Sequence, residues 1–552
     1  MRDGLKIRIA EALAKAGVSV VPQDVSVEYP ADLAHGDYSS SVAMKFAKQS
    51  GRSPRSLAEE ITASLGTIPG IAKIEVVGAF INFYLAPEEV ARVAEEARSN
   101  DLWGNGSRFA GKRIMVEYTD PNPFKEFHIG HLMSNAIGES IARLVQFAGA
   151  DVRRANYQGD VGPHVAKALW GMRKIGADPH DASAIGVAYA TGGTAYENDP
   201  AAKQEIDAIN AKVYDRSDVA LNDLYAVGRA ASLEHFEEIY KVLGTKFDFY
   251  FFESEAAPRG VEIVRAHPQT FEGSDGAVVY KGEKVGLHTR VFLTSKGLPT
   301  YEAKELALAE MKKATWPADI SITITAHEQA DYFKVVLAAM KEVMPDFVAR
   351  IRHVSHGMMR LPSGKMSSRT GDVITGESLL RELVDAARVR AAESRSDDAV
   401  QLAQDIAVAA IKYQVLKQAS GKDIIFDRER ALSLEGDSGP YLQYAHARAC
   451  AVSGKAKEQG VKASSEGLAA TNLARLVYRF PEAVDYAASA YEPHLLTNYL
   501  LELASTFNTW YAQVHILDGS TDAPQKVALV EAVRDTLRKG LWILGIPAPD
   551  KM

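Results

Sequence analysis

The 552-residue sequence is 47% hydrophobic and 24% charged, with a formal net charge of −8; this is ordinary for a protein with several buried cores and does not advertise a nucleic-acid binder. No window approaches the roughly 20 uninterrupted apolar residues of a membrane span, and the opening residues mix charge with apolar positions, Asp3 and Glu11 among them, so neither a secretory nor a mitochondrial leader is expected. Cys450 is the single cysteine, which excludes a disulfide framework and every multi-cysteine zinc site and points to a reducing cytoplasm.

In chain order, residues 1–106 read as a small α/β unit. Leu5, Ile9, Leu13 and Val18 form a helical stripe, and a second helical stretch covers Val42 to Ala47. Ile71–Val77 and Phe80–Leu85 read as short strands divided by Gly78. A glycine-containing stretch, Trp103 to Gly111, leads into a second unit placed at 107–375. There Ile114, Val116 and Tyr118 mark a strand, followed by a Pro-Asn-Pro turn at 121–123, a helix over Ile129–Phe147 and a strand over Val152–Tyr157. Strand, helix, strand in this order is a right-handed βαβ unit. Residues from about 172 to 270 read as a largely helical insertion broken at Gly192-Gly193, after which the sheet resumes with Ile320–Thr325, a helix over Ala330–Met344 and a strand over Arg350–Val354. Residues 376–552 read as helical, with breaks near Ser394–Asp398 and over Gly454–Gly467. The expected fold is a doubly wound α/β domain with a helical insertion, between a small α/β domain and an all-α domain.

Two motifs carry chemistry. His128-Ile129-Gly130-His131 lies between a strand and a helix. Histidines three apart at a helix start share a face beside the positive helix terminus, where phosphate is favoured, and Gly130 lets a purine or phosphate approach the backbone. Alone, the pair could be surface histidines. Downstream, Gly364-Lys365-Met366-Ser367-Ser368-Arg369-Thr370-Gly371 reads as a glycine-flanked loop able to close over a triphosphate and bring Lys365 to its outer phosphates. A solvated basic loop is the alternative for that segment alone.

In this order the two motifs resemble those of the class I aminoacyl-tRNA synthetases, which implies a Rossmann-type catalytic domain, ATP as cosubstrate and catalysis by positioning and charge stabilisation. The text around them, Glu117-Tyr-Thr-Asp120-Pro-Asn122-Pro-Phe-Lys125-Glu-Phe-His128, is similar to the arginyl-tRNA synthetases. That likeness implies catalytic roles for Lys125, His128, His131 and Lys365, and ATP contacts for His128, Gly130, His131, Lys365, Met366, Ser367 and Ser368. It assigns the arginine site to Glu117, Asn122, His128, Tyr301, Glu305 and Gln329. Carboxylates suit the planar guanidinium fork, and a pocket built from them rejects analogues by leaving its own polar groups unpaired. Three features depart from the family pattern. Asp120 stands where a small hydroxyl residue is usual, Glu305 replaces the usual aspartate, and both Lys125 and Lys365 are present.

The likeness extends to both ends of the chain. Gly36-Asp37-Tyr38-Ser39 resembles a domain that touches the tRNA elbow, and Tyr441, Tyr444, Tyr511 and Met552 match positions near the anticodon loop, where rings stack on unpaired bases. The expected partners are tRNA(Arg), L-arginine and ATP with Mg²⁺, and no membrane; a cytoplasmic monomer with no dedicated protein metal site is expected. Among the alternatives, a cysteine enzyme would need a cysteine-rich zinc site and a glutamate enzyme a cationic pocket. A small nucleotidyl transferase would lack the helical tail, and a silent RNA-binding relative would not be expected to keep His128, His131 and Lys365.

Overall fold

Leu5, Ile9 and Leu13 recur every four residues and are fully buried, which turns one face of α1 (Arg2–Lys15) inward. α2 (Val42–Ser50) and α3 (Pro54–Leu65) pack on an antiparallel sheet in which β1 (Tyr38–Ser40) and β2 (Ile71–Val77) flank β3 (Phe80–Leu85). α4 (Pro87–Ser99) then leads to the main sheet. This computed structural model describes every residue except 361, 363–374 and 395.

Ile114, Met115 and Val116 are consecutive and buried, the pattern of a strand covered on both faces. They lie in β4 (Arg113–Glu117), at the middle of a five-stranded parallel sheet. α5 (Ile129–Phe147) crosses to β5 (Asp151–Gln158), which pairs with β4. Four helices follow: α6 (Pro163–Ile175), α7 (Ala182–Asn198), α8 (Pro200–Asp215) and α9 (Val219–Leu243). They share a core of their own around Leu169, Ile185, Ile206 and Leu221.

Two expectations for this stretch need correction. α7 runs unbroken through Gly192-Gly193. Gly192 is instead a contact point, since a Cβ there would lie 2.0 Å from the Lys167 carbonyl oxygen of α6. The stretch from about 172 to 270 is largely helical as expected, but not all of it is an insertion. β6 (Phe249–Phe252) falls inside it and pairs with β5 as the edge strand of the main sheet.

After α10 (Glu253–Ala266), a small antiparallel sheet forms from β7 (Glu272–Ser274), β8 (Ala277–Tyr280) and β9 (Arg290–Leu293). α11 (Tyr301–Thr315) leads to β10 (Ile320–Ala326), and α12 (Ala330–Val343) with the single-turn α13 (Pro345–Val348) leads to β11 (Ile351–His356). The strand order β11-β10-β4-β5-β6 is all parallel, as the doubly wound reading requires. The pair β12 (Met359–Arg360) and β13 (Ile424–Ile425) ties the segment after β11 to the tail.

The tail is helical: α14 (Gly376–Ala392), α15 (Ala399–Leu416), the single-turn α16 (Arg428–Ala431), α17 (Gly439–Glu458), α18 (Asn472–Ala490), α19 (Pro493–Gln513) and α20 (Ala523–Ile543). α17 continues past Gly454, so the break expected there begins at Gln459. α5 is buried around most of its circumference, between the sheet and α14, α15, α18, α19 and α20. One apolar core therefore runs from the N-terminal unit through α5 into the tail. Among the described residues, no helix is long and apolar enough to cross a membrane.

Polar contacts pin the N-terminal unit to α18. The Glu482 carboxylate accepts from the Arg2 backbone N–H at 2.9 Å, from the Tyr38 hydroxyl at 3.0 Å and from the Tyr29 hydroxyl. Arg475 Nε donates to Asp37 at 2.7 Å. Because Tyr38 is fully buried, Glu482→Ala leaves its hydroxyl without an acceptor, and a loss of roughly 1–3 kcal/mol is expected. Denaturant unfolding and hydrogen exchange over residues 25–42 measure this; an unchanged midpoint and unchanged protection would show that these bonds contribute nothing net.

Candidate active site

From β4 the chain winds outward to β5 and β6, then returns on the other side of β4 as β10. In such sheets the crevice at the carboxyl ends of the two central strands binds ligands. Glu117 closes β4, residues 118–128 lead to the start of α5, and His327–Gln329 follow β10. Glu117, Asn122, Lys125, His128, Gly130, His131 and Gln329 all lie on or just beyond this edge.

The connection from β4 to α5 is strained and held. Thr119, Asp120 and Phe124 have φ of 78°, 48° and 68°, a region that side chains rarely adopt. Each is fixed by a hydrogen bond. The Thr119 N–H donates to Ser134 Oγ at 3.0 Å, and the Phe124 N–H donates to Ser232 Oγ at 3.0 Å. Asp120 Oδ1 accepts from the Tyr157 N–H at 2.7 Å, so the unusual acid serves the backbone of β5.

His128 caps α5. Its Nδ1 accepts from the His131 N–H at 3.3 Å, and His131 Nδ1 accepts from the His128 N–H at 3.2 Å. The rings stack with centroids 3.4 Å apart. A Cβ on Gly130 would come within 3.0 Å of the His128 ring, so glycine is what lets that ring fold back. Both Nδ1 atoms act as acceptors, which places the proton of each neutral ring on Nε2. Burial, then Lys125 for His128 and the adjacent His128 ring for His131, hold both rings below the ordinary histidine value; His131 is buried, whereas the His128 ring reaches solvent. The motif thus offers two neutral N–H donors beside a helix N-terminus, an arrangement suited to phosphate oxygens.

The other half of the crevice is acidic. Glu117 is 2% exposed, with Oε2 2.5 Å from Lys312 Nζ, although the pair is not aligned as a hydrogen bond. Glu253 and Lys304 form a second buried ion pair. Burial, then the Glu117 charge, raise Asp120 well above the usual carboxylate range and push Glu305 up to about 8. Four carboxylates thus share two lysines, and a further cation would relieve them. The Tyr157 hydroxyl and Asn156 Oδ1 are buried nearby without hydrogen-bond partners among the described residues, as expected where a polar ligand completes the bonding.

Tyr301 opens α11 and is 57% exposed, with Lys304 Nζ 4.7 Å from its ring centroid. Lys125 is half-buried with Nζ 5.3 Å from the Tyr189 ring, and burial, then Lys167, lower its proton affinity. Gln329 is exposed. Lys365, Met366, Ser367 and Ser368 lie outside the described residues. Lys312 and Tyr157, which the sequence reading does not name, stand beside these acids, and Asp120, singled out there as a departure, joins them. A signal existed for Lys312: it lies seven residues after Glu305, on the same face of α11.

In the tail, Tyr444, Tyr511 and Met552 line one cleft of about 1190 Å³, in which basic side chains outnumber acidic ones two to one. The Arg448 guanidinium lies 4.6 Å from the Tyr444 ring centroid and 4.8 Å from that of Tyr511. Tyr441 packs half-buried against the core and is not among the residues lining the cleft.

Residues 99–428 match the family described as tRNA synthetases class I (R), catalytic domain. Residues 3–85 match the arginyl tRNA synthetase N terminal domain, and 442–552 the DALR anticodon binding domain. An arginine–tRNA ligase of Treponema denticola is 30% identical over 97% of this chain and 96% of its own length. One from Limosilactobacillus reuteri is 30% identical over 99% and 100%. The structure of the Thermus thermophilus arginyl-tRNA synthetase superimposes with a TM-score of 0.82 at 27% identity, covering all of both chains.

A guanidinium seated against Glu305 would pair with its ionised form, so below the raised value near 8 a proton would have to leave as the ligand enters. Arginine affinity should therefore climb with pH by up to about tenfold per unit and level off above about 8. Glu305→Gln should flatten this rise. Calorimetric titration at several pH values tests it, and an equal slope in the variant would remove Glu305 from the binding step.

Proposed function

The chain belongs to the arginyl-tRNA synthetase family, and from that premise we propose how its residues divide the reaction. The activity is arginine–tRNA ligation. ATP converts arginine to arginyl-adenylate and pyrophosphate, and the arginyl group then passes to the 3′ end of tRNA.

The observation that carries the proposal is the reciprocal histidine cap set at the switch point beside a cation-hungry acidic pocket. Glu305, Glu117 and Tyr301 receive the guanidinium, while Asn122 and Gln329 orient the α-amino end. Lys312 lies beside Glu117 and offsets its charge. The arginine carboxylate oxygen attacks the α-phosphorus, and the bond to the bridging oxygen breaks as pyrophosphate leaves. His128 and His131 donate Nε2–H to the phosphate oxygens as charge builds, and Gly130 leaves room for the nucleotide. Lys125 adds positive charge from the near side of the crevice, and Lys365, followed in sequence by Met366, Ser367 and Ser368, adds it to the outer phosphates. No covalent enzyme intermediate is formed, and positioning with electrostatic stabilisation supplies the rate. ATP would carry Mg²⁺, which would supply further positive charge to the phosphates.

Residues 1–106 meet the tRNA elbow, 107–375 perform the chemistry and 376–552 hold the anticodon stem. Tyr444 and Tyr511, braced by Arg448, offer flat faces to unpaired bases beside Met552, and Tyr441 supports them from the core side. The protein works as a cytoplasmic monomer.

Glu305→Ala and Glu117→Gln are expected to raise the arginine KM by roughly 100-fold, equivalent to the loss of one or two charge-assisted bonds, with the ATP KM little changed. Pyrophosphate exchange measures both, and an unaltered arginine requirement would displace the pocket. His131→Ala should slow adenylate formation by about 10²–10³-fold while tRNA affinity holds; lost tRNA binding with intact exchange would contradict the role.

A further inference from the structure

α7 meets the strained connection from β4 to α5 at two successive turns. A Cβ on Gly186 would lie 3.1 Å from Glu126 Cγ, so the helix packs directly on that residue. One turn on, the ring centroid of Tyr189 lies 5.3 Å from Lys125 Nζ. Two glycines bring α7 this close. A Cβ on Gly171 of α6 would lie 2.0 Å from the Ala188 carbonyl oxygen, as one on Gly192 would from that of Lys167, and Tyr189 stands between these two contact points. Seven residues after Tyr189, on the same helix face, the Tyr196 ring centroid lies 4.4 Å from Lys167 Nζ. α7 therefore presents two rings to two lysines that repel each other.

A half-buried ammonium has lost part of its hydration and needs a partner. A carboxylate would supply one, but as an ion pair that an arriving phosphate has to break. The negative face of a ring offsets the lost hydration and leaves the positive charge on offer. The other charges acting on Lys125 do not fill that place, since Lys167 repels it and Glu253 is already paired with Lys304. The backbone before Lys125 is fixed by the Phe124 N–H bond to Ser232 Oγ, so the ring governs what freedom the side chain retains. We propose that Tyr189 is a positioning residue of the adenylation step, which holds Lys125 by a cation–π contact at the edge of the crevice and keeps its charge available to the phosphates. The inference rests on the reading of Lys125 as a source of positive charge for the reaction. Through this one ring the helical insertion acts on the chemistry.

The test replaces Tyr189 in the full-length protein by phenylalanine and by its mono-, di- and trifluorinated forms, which keep the shape of the ring while draining its negative face. Pyrophosphate exchange is followed with tRNA present. Tyr189→Phe should keep at least about half of the rate, and the logarithm of kcat should then fall with each fluorine, to about a tenfold loss at three. Tyr189→Leu should lose about as much, and the arginine KM should hold constant throughout. In a Lys125→Met background the fluorine series should be flat, because the cation it senses is gone. A flat series with Lys125 in place, or an equal slope without it, would reduce Tyr189 to a packing residue and leave the role of Lys125 standing. An unchanged rate in Lys125→Met alone would remove that lysine from the reaction, and this inference with it.

Discussion

The site depends on how α5 begins. A helix leaves its first N–H groups without internal partners, and here two imidazoles satisfy a pair of them reciprocally. The same bonds fix both rings in one tautomer, stack them and aim their remaining N–H groups outward. An ordinary serine or aspartate cap would satisfy the helix equally well, yet it would present no donors to a phosphate. The folding requirement and the chemical requirement are therefore met by the same atoms, which explains why Gly130 must lie between the histidines. The positive φ values just upstream belong to the same constraint. The chain must turn sharply from β4 to bring His128 to the crevice, and Ser134, Ser232 and the Tyr157 N–H hold it there.

Opposite this cap the protein concentrates carboxylates. Glu117 and Glu253 are each matched by a buried lysine, while Asp120 and Glu305 are not. Such an arrangement is uncomfortable when empty and favourable when a cation enters, so the ligand supplies part of what the fold withholds. Asp120 illustrates how one residue can serve both ends: its carboxyl oxygen accepts from the β5 backbone while burial and the Glu117 charge raise its proton affinity. The extra methylene of Glu305 is accommodated on α11, two turns from Lys312 on the same helix face.

Much of this was legible beforehand. The strands at 71–77 and 80–85, the limits of α5 and the histidine pair at its start followed from alternation, periodicity and spacing. What escaped were features decided by distant partners. β6 is four residues long, Phe249–Phe252, and becomes a strand only because β5 offers it an edge. Gly192 looked like a helix breaker, yet it is a small residue at a close helix crossing. Lys312 draws its role from β10 and β4, which bring Glu117 beside it. The unusual Asp120 was noticed, but its partner on β5 could not be foreseen from the text alone.

The continuous core through α5 bears on modularity. Many multidomain enzymes are strings of separable beads, and their parts can be cut out and exchanged. Here the helix that carries the histidine pair has its far side covered by α14, α15, α18, α19 and α20, and the N-terminal unit is buttoned to α18 by Glu482 and Arg475. The catalytic sheet excised alone would bare the apolar back of α5 to water. The three sequence units are thus bound to change together, and a swapped tail would have to bring with it a surface that fits the back of the active-site helix.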